Sequence, residues 1–76
     1  MQTLQIFSER IKHLRENKQV TQFQIAEVLG CTEQHYQKIE YGKINTSLLK
    51  LVDLANYHAV SIDYLTGRTD NPEVNK

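Results

Sequence analysis

The stretch TQFQIAEVLGCTEQHYQKIE, residues 21–40, decides the fold. Thr21 is a good helix N-cap, and Gln24 three residues later completes a capping box. A helix is expected over Gln22 to Leu29. Gly30 stops it, because glycine enters the left-handed region without the clash of a Cβ. Thr32 can cap the next helix at once. That helix is expected to run to about Tyr41, where Gly42 ends it in the same way. Two short helices therefore follow one another with a single glycine at the turn.

On a wheel of ~100° per residue, Tyr36 and Ile39 of the later helix point one way, with Glu40 beside them. Gln34, Lys38 and Tyr41 point the other way. Glu33 and Gln37 lie on one flank and His35 on the other. One face is anchored; the opposite face offers donors, acceptors and a cation. Such a face suits a helix laid in the DNA major groove, where each base pair presents its own donor and acceptor pattern. In the preceding helix Ile25, Ala26 and Leu29 form the inner side, and Ala26 is small where the two helices must cross closely. Cys31 takes an apolar site just after the turn. The order of cap, apolar, small, apolar, glycine, apolar, Tyr36 and Ile39 is the helix-turn-helix spacing.

Working outward, Phe7, Ile11 and Leu14 make one apolar stripe, which predicts a first helix from about Leu4 to Asn17. Asn17-Lys18-Gln19-Val20 breaks it. The loop Lys43-Ile44-Asn45 leads to a fourth helix, about Thr46 to His58, with Leu48, Leu51, Leu54, Ala55 and His58 on or near one face. Ser61 caps a short fifth helix, with Ile62 and Leu65 facing in and Gly67 closing it. No segment reads as a strand. The expectation is an all-α fold of five short helices in a domain over residues 1–67. The remainder, RTDNPEVNK at 68–76, is polar, holds the only proline and reads as a loose tail.

A chain of 76 residues supports one domain. Its 39% hydrophobic and 24% charged content fits a soluble globular protein. No apolar run approaches the ~18 residues a membrane span needs. No basic region followed by an apolar core marks a signal peptide, so a cytoplasmic location and no membrane partner are expected. Cys31 is the only cysteine, which rules out an intrachain disulfide and a cysteine-rich zinc site. It reads as a small buried hydrophobe rather than a redox switch. His13, His35 and His58 lie too far apart for a compact metal motif, and His58 reads as a helix-end residue near a favourable dipole. Tyr41 either stacks on a sugar or lies flat against the loop. There is no glycine-rich phosphate loop and no nucleophile with an evident base, so neither an enzyme nor a cofactor is expected. Nine basic residues balance nine acidic ones, whereas nucleic-acid binders usually carry basic surfaces. The distribution is less neutral: Lys38, Lys43 and Lys50 face only Glu40 between residues 35 and 50.

Three stretches in order, RIKHLRENKQVTQ (10–22), IAEVLGCTEQHYQKIEYGK (25–43) and LLKLVDLANYHAVSIDYLTG (48–67), resemble the phage-repressor helix-turn-helix proteins, Cro/cI-type or XRE family. The resemblance covers residues 6–67. It implies a five-helix, lambda-repressor-like DNA-binding domain with the motif at helices two and three. It further implies a sequence-specific transcriptional regulator, a repressor, that inserts its third helix in the major groove of a double-stranded operator as a dimer. Carried over by position, it implies that Gln22 bonds a phosphate and braces a recognition side chain. Thr32, Glu33, Gln34 and Lys38 would face bases or the adjacent backbone, with His35 and Gln37 completing the polar face. Lys43 and Asn45 would contact phosphates, and Arg15 and Glu40 would form a structural ion pair. Two positions depart from the pattern. Tyr36 replaces an aliphatic residue, which widens the core there or exposes a hydroxyl. Thr46 replaces a common proline, which leaves the start of the fourth helix less rigidly set. One recognition helix gives an interface of roughly 600–1,000 Å², which argues for a homodimer. Location and leftover apolar residues suggest Tyr57, Val60, Ile62, Tyr64 and Leu65 for the self-contact. The alternative is a protein-interaction module on the same fold, an antirepressor or antitoxin with a regulatory protein partner, which zero net charge and Glu33 favour.

Overall fold

A hydroxyl begins each of the helices after the first in the computed structural model, which describes residues 2–74. The oxygens of Thr21, Thr32, Ser47 and Ser61 accept from the backbone N–H three residues on, at 3.1, 3.1, 3.2 and 3.0 Å. Each satisfies a donor that a helix start leaves orphaned. Thr21 and Gln24 close the full box, since the Thr21 N–H donates to Gln24 Oε1 at 2.8 Å. The result is five helices among the described residues: α1 (Gln2–Lys18), α2 (Gln22–Leu29), α3 (Glu33–Glu40), α4 (Leu48–His58) and α5 (Ile62–Leu65). No strand occurs among them. Met1 and residues 75–76, which the expected domain and tail include, lie outside the described residues.

The helix ends use left-handed residues. Gly30 (φ 69°) and Gly42 (φ 73°) turn the chain after α2 and α3. After α1 and α4 the same conformation falls to Gln19 (φ 59°) and Ala59 (φ 55°), which carry a Cβ into it. α4 begins at Leu48, two residues later than expected, because Ser47 rather than Thr46 holds the cap. Thr46 stays in the loop with its hydroxyl buried.

The core draws on every helix. Phe7 and Ile11 come from α1, and Ile25, Ala26 and Leu29 from α2. Tyr36 and Ile39 come from α3, Leu54 and Ala55 from α4, Leu65 from α5, and Val60 precedes α5. Leu14, Leu51 and Cys31 pack against this cluster half-buried. Two expected inner residues are outside. Leu48 is 72% exposed and Ile62 39%. Each opens its helix, and helical side chains lean toward the N-terminus. A first-turn side chain on the inner stripe therefore projects past the helix start rather than over the core. Tyr36 is wholly buried, so its hydroxyl is not exposed. It lies beside Glu40 without a well-formed hydrogen bond, and burial, then the carboxylate, suppresses its ionisation.

A buried ion pair joins α1 to α3. Arg15 Nε donates to Glu40 Oε2 at 2.8 Å and Nη2 to Oε1 at 2.9 Å, while Nη1 donates to the Val20 carbonyl at 3.1 Å. Burial alone would raise the Glu40 carboxyl, but the bonds from Arg15 and that cation's charge hold it below the usual carboxylate range. The same bond raises Arg15. His58 behaves oppositely. Neither ring nitrogen has a hydrogen-bond partner among the described residues, and the ring meets Tyr57 edge-on at 5.0 Å. Burial, then the charge of Lys18, lowers its pKa from 6.5 to about 4. His58 does end α4 as expected, but the dipole there does not keep its ring charged, because desolvation outweighs the helix end.

Residues 69–72, in the segment read as a loose tail, make contacts. Arg10 donates to the carbonyls of Tyr64 and Thr69 and to Asp70, the last two at 2.7 Å. Its guanidinium lies 4.2 Å from the Tyr64 ring centroid. The Ser61 N–H donates to the Pro72 carbonyl at 3.1 Å. Gly67 (φ 81°) passes so close to α1 that a Cβ would stand 2.9 Å from Ile6 Cδ1.

These features fix three expected outcomes, each readable by chemical denaturation. Ala59→Gly relieves a left-handed alanine at a C-cap that glycine favours, and stabilises by roughly 0.5–1 kcal/mol. Arg15→Met leaves a buried carboxylate unpaired and costs about 3–5 kcal/mol. An equally stable variant would show the pair to be idle. His58 binds its proton near pH 6.5 when unfolded but only near pH 4 when folded. Its contribution is therefore present above pH 6.5 and lost as pH falls toward 4, at up to ~1.4 kcal/mol per pH unit. His58→Leu flattens that slope.

Candidate nucleic-acid interface

Helix α3 is fixed from behind and open in front. Tyr36 and Ile39 are fully buried and Glu40 is 3% exposed. Gln34, His35, Lys38 and Tyr41 are exposed, while Glu33 and Gln37 are half-buried on the flank nearer α2. The division follows from sequence period: positions 36, 39 and 40 share one side of a helix whose opposite side carries 34 and 38. Thr32 is exposed, with its oxygen engaged in the α3 cap. Lys43 and Asn45 are exposed in the connection to α4.

Hydrogen bonds run from the buried ion pair to this open face. Gln22, first residue of α2, donates through Nε2 to Glu40 Oε1 at 3.3 Å. Its Oε1 accepts from Gln37 Nε2 at 3.1 Å. Gln22 Nε2 also reaches the Tyr41 hydroxyl at 3.5 Å, which draws the exposed Tyr41 toward the start of α2. Beside these groups opens a cleft of about 440 Å³ lined by Lys12, Arg15, Gln22, Glu33, Glu40 and Tyr41. The first N–H groups of α2 begin here, and such groups favour anions. Spacing alone could place Gln22 near α3. It could not show which α3 side chain Gln22 meets, because that depends on the angle at which α2 and α3 cross.

The residues expected at a self-contact divide. Leu65 is fully buried and Val60 7% exposed, so both belong to the core rather than to an outer surface. Leu65 comes from α5 and Val60 from the turn before it, and both join the core cluster drawn from the other helices. Tyr57 and Tyr64 are half-buried, each with a cation over its ring, Lys18 at 5.3 Å and Arg10 at 4.2 Å. Of the five, Ile62 is the exposed one. Sequence reasoning missed a more exposed apolar pair, Leu48 and Leu49, at 72% and 75%. Periodicity put Leu48 on the inner stripe, and only the start of α4 at Leu48, with both leucines in its first turn, leaves the pair beyond the core. No helix among the described residues is long and apolar enough to cross a membrane.

The profile of a helix-turn-helix family matches residues 11–65. That span takes in the buried pair, α2, the Gly30 turn, α3 and the core residues of α4 and α5. Among curated proteins of Bacillus subtilis (strain 168), the chain is 35% identical over 68 residues to the uncharacterized HTH-type transcriptional regulator YobD. This covers 90% of the chain and 61% of that protein. It is 42% identical over 60 residues to the SPbeta prophage-derived uncharacterized HTH-type transcriptional regulator YonR, covering 79% and 56%. It is 35% identical over 69 residues to the uncharacterized HTH-type transcriptional regulator YqaE, covering 91% and 60%. The chain thus spans about three-fifths of the length of these relatives. No solved structure matches it. With its five helices and the motif at α2 and α3, the chain belongs to the XRE-type helix-turn-helix family, a family of transcriptional regulators rather than of enzymes.

Proposed function

We propose that the chain is a sequence-specific double-stranded DNA-binding regulator, a repressor, that lays α3 in the major groove as a dimer. The observation carrying this reading is the division of α3 into a buried side (Tyr36, Ile39, Glu40) and an open polar side (Gln34, His35, Lys38). An eight-residue helix is ~12 Å long, about the width of the major groove. Gln34 can pair with adenine through N6 and N7, Glu33 can accept from cytosine N4, and Lys38 can donate to guanine O6 or N7. Glu33 also repels phosphate, which penalises a misplaced register. Thr32 and His35 flank these contacts.

Backbone contacts fix the register around them. Lys43 and Asn45 reach phosphates beyond the end of α3. The start of α2, with Gln22 and the Lys12 side of the cleft, seats another phosphate. Zero net charge implies modest non-specific affinity, because that component comes from neutralised phosphates. Two half-sites about one helical turn apart then supply the specificity one module lacks. With Val60 and Leu65 in the core, Ile62 with the rims of Tyr57 and Tyr64 is what remains of the expected self-contact. A working unit over residues 1–67 and a cytoplasmic location accord with this role. The relatives' printed descriptions as transcriptional regulators, one of them prophage-derived, support the reading.

One observation favours a second reading, a protein-interaction module. Leu48 and Leu49 form an exposed apolar pair beside the proposed DNA-facing loop, where phosphate contact would leave them idle. The two readings separate cleanly. Selection from a random duplex library is expected to enrich an inverted repeat, and affinity for it to fall steeply with salt. Gln34→Ala and Lys38→Ala are each expected to cost roughly 1–3 kcal/mol of discrimination with the melting temperature unchanged. Full specific binding by both variants would remove α3 from the interface. Absence of any salt-dependent DNA binding would leave the interaction module.

A further inference from the structure

We infer that the start of α4 is a docking surface for an acidic amphipathic helix of a partner protein, and that this helix competes with DNA for the loop after α3. Leu48 and Leu49 are the most exposed large apolar residues among those described, at 72% and 75%. Beside them an apolar pocket of about 180 Å³ opens between the start of α1 and the first turns of α4. Leu4, Phe7, Asn45, Thr46 and Leu51 line it. Leu48 stands one turn before Leu51 on α4, so the leucine pair borders the pocket. An apolar cavity of ~150 Å³ holds a benzene ring, so this pocket has room for one leucine or phenylalanine side chain. The charge around it has one sign. Between Tyr41 and Val52 lie Lys43 and Lys50 and no acidic residue. Neither lysine joins an ion pair among the described residues.

These features select the occupant. A second copy docked about a two-fold axis would use the same patch twice, and would set this basic stretch against itself. A partner with carboxylates beside its apolar side chains meets both demands. The pocket and the leucine pair lie one turn apart along α4, so the partner needs apolar anchors ~5 Å apart, the spacing of successive turns of a helix. Such a helix lays its apolar stripe in the groove and turns flanking carboxylates to Lys43 and Lys50, which fixes its orientation more than its affinity. Asn45 links this surface to DNA. It lines the pocket, and with Lys43 it is a proposed phosphate contact. A helix seated here covers both residues, so partner and operator exclude one another. The docking needs no DNA contact; the competition rests on the DNA-binding reading above.

The test pans a displayed library of random peptides against the full chain. Enriched peptides are expected to carry leucine or phenylalanine one turn apart, flanked by aspartate and glutamate. A synthetic copy of the enriched peptide then serves as the probe. Its affinity is expected to fall with salt, and to fall about tenfold or more when Leu48→Ser and Leu49→Ser are combined. Lys50→Glu weakens it as well. The double leucine variant is expected to keep the melting temperature, the oligomeric state and the operator affinity of the wild type, since both leucines are exposed and neither is placed at DNA. Operator displaces the peptide from the wild-type chain. Enrichment of basic peptides, or of none, overturns the inference, as does a peptide that the double variant binds equally well. A wild-type dimer that the double variant dissolves would mean that a second copy covers the patch, and the inference fails. If the peptide binds as expected and no operator can be selected, the docking stands and the DNA reading falls. If peptide and operator bind together, the competition is overturned while the DNA reading survives.

Discussion

One buried carboxylate sets the geometry of the motif. Glu40 lies on α3, takes both arms of Arg15 from α1, and takes the Gln22 amide from α2. Three helices thus meet on two oxygens. Buried ion pairs are poor general stabilisers, because desolvation offsets most of the attraction. Their strength is intolerance: a carboxylate with its lone pairs filled permits few alternative arrangements. Here that intolerance acts where function needs it, at the angle between α2 and α3. The Tyr36 phenol, packed against the same carboxylate with no bond of its own, keeps water from that side.

The remaining elements are too short to hold themselves. Helices of eight residues such as α2 and α3 are unstable as isolated segments in water. Their ends are therefore specified residue by residue, by a hydroxyl at each start and a left-handed residue at each turn. Packing of Ile25, Ala26 and Leu29 against Tyr36 and Ile39 does the rest. Rigidity at the open face is borrowed from the buried side. That is the condition under which side chains such as Gln34 and Lys38 can be presented without reordering the backbone beneath them.

What could be read from sequence was what is encoded locally. The bounds of α2 and the capping box at Thr21 emerge from residues within one turn of each other, and the structure has them. The Arg15–Glu40 pair came from family resemblance, and the structure contains it at 2.8 and 2.9 Å. Periodicity misplaced Leu48 and Ile62, since a stripe does not say where its neighbours end. It placed His58 on the inner side of α4 correctly, whereas the dipole argument overlooked the desolvation that follows from that burial. The bond from Gln37 to Gln22 spans two elements and depends on their crossing, so no spacing rule contains it. The partners of Arg10 lie more than fifty residues away, at Tyr64, Thr69 and Asp70, and composition alone made that segment look unattached.

That clasp bears on how the chain is made. Arg10 leaves the ribosome well before its acceptors at Thr69 and Asp70, which follow 59 and 60 residues later. Domains form largely as units during synthesis. α2 and α3 can pair while the chain is still growing, yet α1 remains without its C-terminal fastening until residue 70 has emerged. The clasp is thus the late contact of this fold, and a chain with α5 just clear of the ribosome carries an assembled motif whose first helix is not yet secured.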